Sequence, residues 1–183
     1  MSDFENTLDQ LEKESLLQDI EIISRDKGIF LGELVEKRQP KNILEIGTGI
    51  GYSTLFLVSA LPKEGKIYTC EKELSRIQIA KGAFKKLGLT NKIDLVGGNV
   101  FNTLPKLKMK WDIVFIDGNR DEYYEYLQLF GDELNLGAVV VANSVGTYEN
   151  LARDYIREVR KSGNYESRYQ DFGIDGMEVS IKE

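Results

Sequence analysis

The stretch NILEIGTGIGYSTLF, residues 42–56, sets an acidic residue and three glycines at alternate positions: Glu45, Gly47, Gly49 and Gly51. An apolar run precedes them and a helix-like run follows. Glycine lets a backbone turn sharply and approach a ligand closely. A turn with no ligand does not call for three glycines in five residues. Two phosphate-binding signatures fail to match. A dinucleotide fingerprint would put its third small residue at position 52, where Tyr52 stands, and a phosphate loop would end in Gly-Lys-Ser or Gly-Lys-Thr, which is absent. Further along, Glu71 closes another apolar stretch. A carboxylate at that place can accept both hydroxyls of a ribose.

Other chemistry is missing from the composition. The 183 residues contain no histidine, which removes the commonest general base and the commonest transition-metal ligand. Cys70 is the only cysteine, so there is neither a disulfide framework nor a cysteine-based metal site. Charged residues make up 30% and hydrophobic ones 42%, ordinary values for a globular domain. The net charge of −6 disfavours nucleic acid as a partner, since such binding rests on phosphate neutralisation. The polar start MSDFENTLDQ is unlike a signal peptide, and no apolar run reaches membrane-spanning length. The expectation is a cytoplasmic protein with no membrane partner.

The elements that must position these residues follow from periodicity. Phe4, Leu8, Leu11, Leu17 and Ile20 recur at helical spacing over residues 3–24, and a second helix is predicted over 26–38, with Asp26 as its N-cap and Pro40 just beyond its end. The first stripe packs on the domain; helping to form a homodimer or a lid is the sharper alternative. From residue 41, strands alternate with helices: strands at NILEIG, 66–71, 92–98, 111–117 and 137–143, with helices between them and one after the last, at TYENLARDYIREVRKSG. The segment YESRYQDFGIDGMEVSIKE reads as two strands around a turn at Gly173–Gly176. Such alternation predicts an α/β fold with a doubly wound, mostly parallel sheet and antiparallel pairing at its C-terminal edge. The chain is expected to be one domain, 1–183, with N-terminal helices over 1–40 and a ligand-binding core over 41–183.

The pattern Glu45-x-Gly47-x-Gly49-x-Gly51 resembles motif I of the class I S-adenosylmethionine-dependent methyltransferases, whose Rossmann-like sheet has seven strands. The resemblance implies that Gly47, Thr48, Gly49, Gly51 and Tyr52 hold the cofactor. It implies that Glu45 binds its ammonium or orders water beside it, and that the helix start with Ser53 receives its carboxylate. Glu71 would take the ribose, and Gly98 and Asn99 would lie near the adenine.

A narrower resemblance adds the reaction. ILEIGTGIGYSTL, WDIVFIDGNRDEYYEYL, GAVVVANSVG and DGMEVSIK are similar to signatures of the catechol-type, cation-dependent O-methyltransferase family. In that family an Asp after the fourth strand and an Asp-Asn pair ending the fifth hold magnesium, and a lysine serves as base. The resemblance carries Asp117 and Asn143 into the metal set, but the middle ligand position is Ala142 and the lysine position is Arg120. Arginine stays protonated and cannot act as the base. Magnesium is therefore expected to be held weakly or not at all. Asp117 becomes the candidate base and Arg120 a candidate anion binder for the methyl acceptor, with Tyr148 a weaker candidate for the acceptor site. The expected activity is O-methylation of a small molecule. The alternatives are a tRNA nucleoside methyltransferase and a protein that binds the cofactor without catalysis.

Overall fold

Residues 2–183 are described by a computed structural model. Two helices open the chain, α1 (Asp3–Gln18) and α2 (Arg25–Arg38). Then come β1 (Asn42–Ile46), α3 (Tyr52–Ser59), β2 (Lys66–Glu71), α4 (Leu74–Lys86), β3 (Ile93–Gly97), α5 (Val100–Thr103), β4 (Trp111–Ile116), α6 (Tyr123–Phe130), β5 (Leu134–Asn143), α7 (Arg153–Lys161), β6 (Tyr165–Asp171) and β7 (Gly176–Lys182). Among the described residues the strands form one seven-stranded sheet in the order β3-β2-β1-β4-β5-β7-β6. β1 to β5 pair in parallel, while β7 inserts antiparallel between β5 and β6. None of the described helices is long and apolar enough to cross a membrane.

Strand alternation divides the core in two. Ile43, Ile113, Phe115, Val139 and Val141 face α1 to α4, while Leu44, Val114, Ile116, Val140 and Ala142 face α5 to α7. A residue and its neighbour in a strand point to opposite sides, so an apolar run buried on both faces is what a central strand requires. Trp111 is buried and meets Tyr68 edge-on at 5.6 Å, a packing role.

Several boundaries differ from expectation. α1 stops at Gln18 because Asp19 adopts a left-handed conformation, and Leu17 is 82% exposed; Phe4, Leu8 and Leu11 pack on the core, as does Ile20 just beyond the helix. The N-cap of α2 is Ser24, whose hydroxyl accepts from the Lys27 amide; Asp26 sits in the first turn, where its charge suits the helix dipole. α7 begins at Arg153, since residues 144–152 form turns in which Ser144 has positive φ. β5 starts at Leu134 rather than 137.

Candidate functional site

β1 and β4 are neighbours, and the chain winds outward from them in opposite directions. This is the switch point of the sheet, where the loops after adjacent strands separate and leave a crevice. A cleft of about 380 Å³ opens there. Gly47 and Asp117 line its centre, Glu71, Gly98 and Asn99 the β2–β3 side, and Arg120 and Asn143 the β5 side. A smaller hollow of about 70 Å³ adjoins it and is lined by Thr48, Gly49, Tyr52 and Ser53. Glu21 and Ile22, from the segment between α1 and α2, border both spaces. Sequence periodicity assigned that segment to a helix and missed this contribution.

The glycine loop has a conformation only glycine adopts easily. Gly47 has φ +100, and a Cβ there would stand 2.3 Å from the carbonyl oxygen of Asp117. The loop therefore lies directly on the exit of β4. Gly49 has φ +53, and a Cβ there would meet nothing within 4 Å, so this backbone faces open space. The Gly49 amide donates to Oε2 of Glu71 at 2.9 Å, while the amides of Lys72 and Glu73 donate to Oε1 at 2.8 and 2.9 Å. A carboxylate has about four acceptor positions. Three are used, so Glu71 is fixed in place and still able to accept from a ligand hydroxyl. Asn99 caps α5, its Oδ1 accepting from the Phe101 amide at 2.9 Å, which leaves its NH₂ as the donor side.

Two expected contact residues stand outside the lining. Glu45 is fully buried under α3; its oxygens accept from Ser53 and Thr54 at 2.6 Å and from Thr69 at 2.5 Å. Burial pushes its carboxyl up to about 7, although the three hydroxyls pull the other way. Glu45 thus braces the loop and the start of α3 instead of meeting a ligand ammonium directly. Gly51 is the N-cap of α3, and a Cβ there would stand 2.8 Å from the Phe84 ring, so it serves helix packing. The other expected residues border the hollow with part of their surface committed elsewhere. Thr48 shares a hydrogen bond with Thr69, and Tyr52 donates to Glu12 at 2.5 Å.

On the β5 side the polar groups form a chain. Lys27 Nζ donates to Asn143 Oδ1 at 2.8 Å and to Asp175 Oδ2 at 3.1 Å; Asn143 Nδ2 donates to Asp117 Oδ1 at 2.8 Å. Desolvation lifts the Asp117 carboxyl to about 6 against the pull of Asn143, Arg120 and Lys27. Asp175 goes the other way. Burial alone would raise it, but the Thr147 and Gly176 amides, the Ser144 hydroxyl and Lys27 bring it down to about 2. Arg120 donates to Glu21 at 2.9 Å, and its guanidinium lies 4.4 Å from the centre of the Tyr148 ring. Its Nε is buried with no protein partner among the described residues.

This donor set does not fit magnesium. The ion takes oxygen ligands in an octahedral shell. Ala142 offers none, the amide oxygen of Asn143 is taken by an ammonium, and the NH₂ of Asn143 faces Asp117. Among the described residues, no group of three His, Cys, Asp or Glu side chains converges to hold a metal.

Comparison with known proteins follows the same lines. Residues 2–153 match the profile of a family described as O-methyltransferase. A catechol O-methyltransferase of Niastella koreensis is 35% identical over 127 residues, covering 67% of this chain and 58% of that protein. One from Mycobacterium tuberculosis is 31% identical over 124 residues, covering 67% and 56%. The chain thus spans somewhat over half the length of these relatives. Among solved structures, the O-methyltransferase TomG from Streptomyces achromogenes, involved in tomaymycin synthesis and solved in complex with SAM, superposes with TM-score 0.89 at 25% identity over 96% of this chain and 89% of that one.

Proposed function

The chain belongs to the O-methyltransferase family, and from that premise we propose that it methylates an oxygen of a small, anionic molecule using S-adenosylmethionine. The observation that carries this reading is the bond between the Gly49 amide and Glu71, which locks the glycine loop to a carboxylate at the switch point of the sheet. The cleft walls suit a ligand that carries positive charge and a diol: Glu21, Glu71, Asp117 and Glu122 stand there against Lys72, Arg76 and Arg120. When bound, that cofactor supplies an activated methyl group on a positive sulfur.

The protein's part is largely positioning, which can recover roughly 7–11 kcal/mol of a bimolecular barrier. Glu71 accepts one ribose hydroxyl at the position its three amide donors leave open, and Asn99 offers its NH₂ near the adenine. Asp117 takes the proton of the acceptor hydroxyl at Oδ2, the oxygen that Asn143 does not hold. Arg120, which lines the cleft, holds a carboxylate or phosphate of the acceptor with the part of its guanidinium that Glu21 leaves open. An oxygen acidic enough to ionise readily needs no stronger base.

Calorimetry with S-adenosylmethionine, with and without EDTA, tests the first step. Absence of binding overturns the reading, and binding insensitive to EDTA agrees with it. Transfer of a labelled methyl group to phenols with and without a carboxylate tests the second; preference for the carboxylates, lost in Arg120→Met, is the expected result. Binding with no turnover on this panel or on tRNA favours a non-catalytic cofactor-binding protein, the reading suggested by Arg120 where the family has its base.

A further inference from the structure

We propose that the ammonium of Lys27 is the built-in cation of this site, standing in place of a dissociable divalent ion and excluding one. Lys27 lies on the inner face of α2, in register with Leu31 and Val35, and is 6% exposed. Lysine is almost never so buried unless paired. Its partners here are the amide oxygen of Asn143 and the carboxylate of Asp175, which is itself held by the Thr147 amide at 2.9 Å.

The orientation of Asn143 follows from this pairing. An ammonium has three donors and no acceptor. The amide must therefore turn its oxygen to Lys27 and its NH₂ to Asp117, whose ionised oxygens only accept. The positive end of Lys27 is passed through one amide to the carboxylate at the cleft. A divalent ion at Asp117 and Asn143 would need that amide reversed. Reversal would set NH₂ against NH₃⁺, two donors facing each other in a buried place. Metal binding and the present position of Lys27 exclude one another. Ala142 completes the arrangement: it stands where the resemblance places the second carboxylate of the metal set and packs among Val114, Ile116 and Val140.

A tethered monocation differs from an ion in solution. Its dehydration takes place once, when the chain folds, and its occupancy does not depend on concentration. Lys27 is a positioning residue here, acting on Asp117 through Asn143. The inference rests on the proposed function for what the pair does, but its test reads metal binding and involves neither cofactor nor turnover.

The test is titration of the whole chain with Mn²⁺, following the free-ion signal by electron paramagnetic resonance. The wild-type chain should show no stoichiometric site. Lys27→Met and Lys27→Ala free the oxygens of Asn143 and Asp175, and in either variant Mn²⁺ affinity should rise by about tenfold or more as a like charge leaves the site. Lys27→Arg, which keeps the charge, should behave as wild type. A purely structural strut would lower stability in these variants without creating a metal site. Circular dichroism and thermal melts identify the folded variants. Folded variants that bind Mn²⁺ no better than wild type overturn the proposal. So does a stoichiometric site in the wild-type chain that Asp117→Asn abolishes, a measurement that needs no folded Lys27 variant.

Discussion

Gly49→Ala separates ligand contact from folding, because the space beside this residue is empty in the protein alone. Its φ of +53 lies in the left-handed region, which costs a non-glycine residue roughly 1–2 kcal/mol. No atom lies within 4 Å of the added methyl, so no packing cost is added. For a chain of this size that amounts to a fall in Tm of roughly 2–8 °C. If a ligand lies against the loop, the methyl intrudes on it, and affinity for S-adenosylmethionine should fall by about tenfold or more, as misfit of a rigid contact of about 1.4 kcal/mol requires. Gly47→Ala is the counterpart. Its φ of +100 is strained for any side chain, and the methyl would stand 2.3 Å from a backbone oxygen that cannot move aside cheaply. Strain and overpacking together should cost roughly 3–5 kcal/mol, so the protein loses stability before binding can be judged. The assay is calorimetric titration paired with a thermal melt of each variant. A Gly49→Ala protein that melts within a few degrees of wild type and binds the cofactor equally well would refute the placement of the ligand on this loop.

Glu71→Gln removes one acceptor from a group fixed by three amides, and cofactor affinity should fall on the order of tenfold or more by calorimetry; unchanged affinity would detach Glu71 from the ribose. Glu45 has a folded pKa of about 7 against an ordinary 4.5, so the folded state keeps its proton longer. The stability this group contributes is present below 4.5 and is lost as pH rises through 7, a loss on the order of 3 kcal/mol. Glu45→Gln lacks that term, so denaturant titrations at about pH 5 and about pH 8 should show the variant gaining on wild type at the higher pH; a gap that stays constant contradicts the buried, proton-holding carboxyl. Arg160 grips the fully buried Glu178 with Nε at 2.7 Å and Nη2 at 2.6 Å. Arg160→Met leaves that carboxylate with only the Ser167 hydroxyl and should destabilise by roughly 3 kcal/mol, with Glu178→Gln in the same chain recovering part of it.

The parts of the site that sequence made legible are those set by local backbone rules. Alternating elements predicted the doubly wound sheet, and strand ends predicted that Gly47, Glu71, Asn99, Asp117 and Asn143 would gather at one edge. Which glycines clear a ligand and which clear a helix was not legible. Gly51 makes room for Phe84, more than thirty residues away, while Gly49 faces open space, and their spacing in the loop looks the same. The two acidic strand residues point to the same face of the sheet and differ in how far along their strands they stand. Glu71 is the last residue of β2 and reaches past the sheet, whereas Glu45 sits one residue inside β1 and points at α3.

Lys27 left one local trace, a charged residue in the helical register of Leu31 and Val35, where an apolar one is expected. Its partners left none, because they lie 116 and 148 positions away and are brought together only when β7 inserts beside β5. That distance decides how Ala142 and Lys27 are to be weighed. Ala142 alone reads as a damaged metal site. With a buried ammonium at the neighbouring asparagine, it reads as a site whose charge has moved from a bound ion to the chain. A metal-dependent relative given both Ala at the position of Ala142 and Lys at the position of Lys27 should therefore lose its need for added ion to a greater degree than the sum of the two single changes, and additive effects of the two changes would show that they are unconnected.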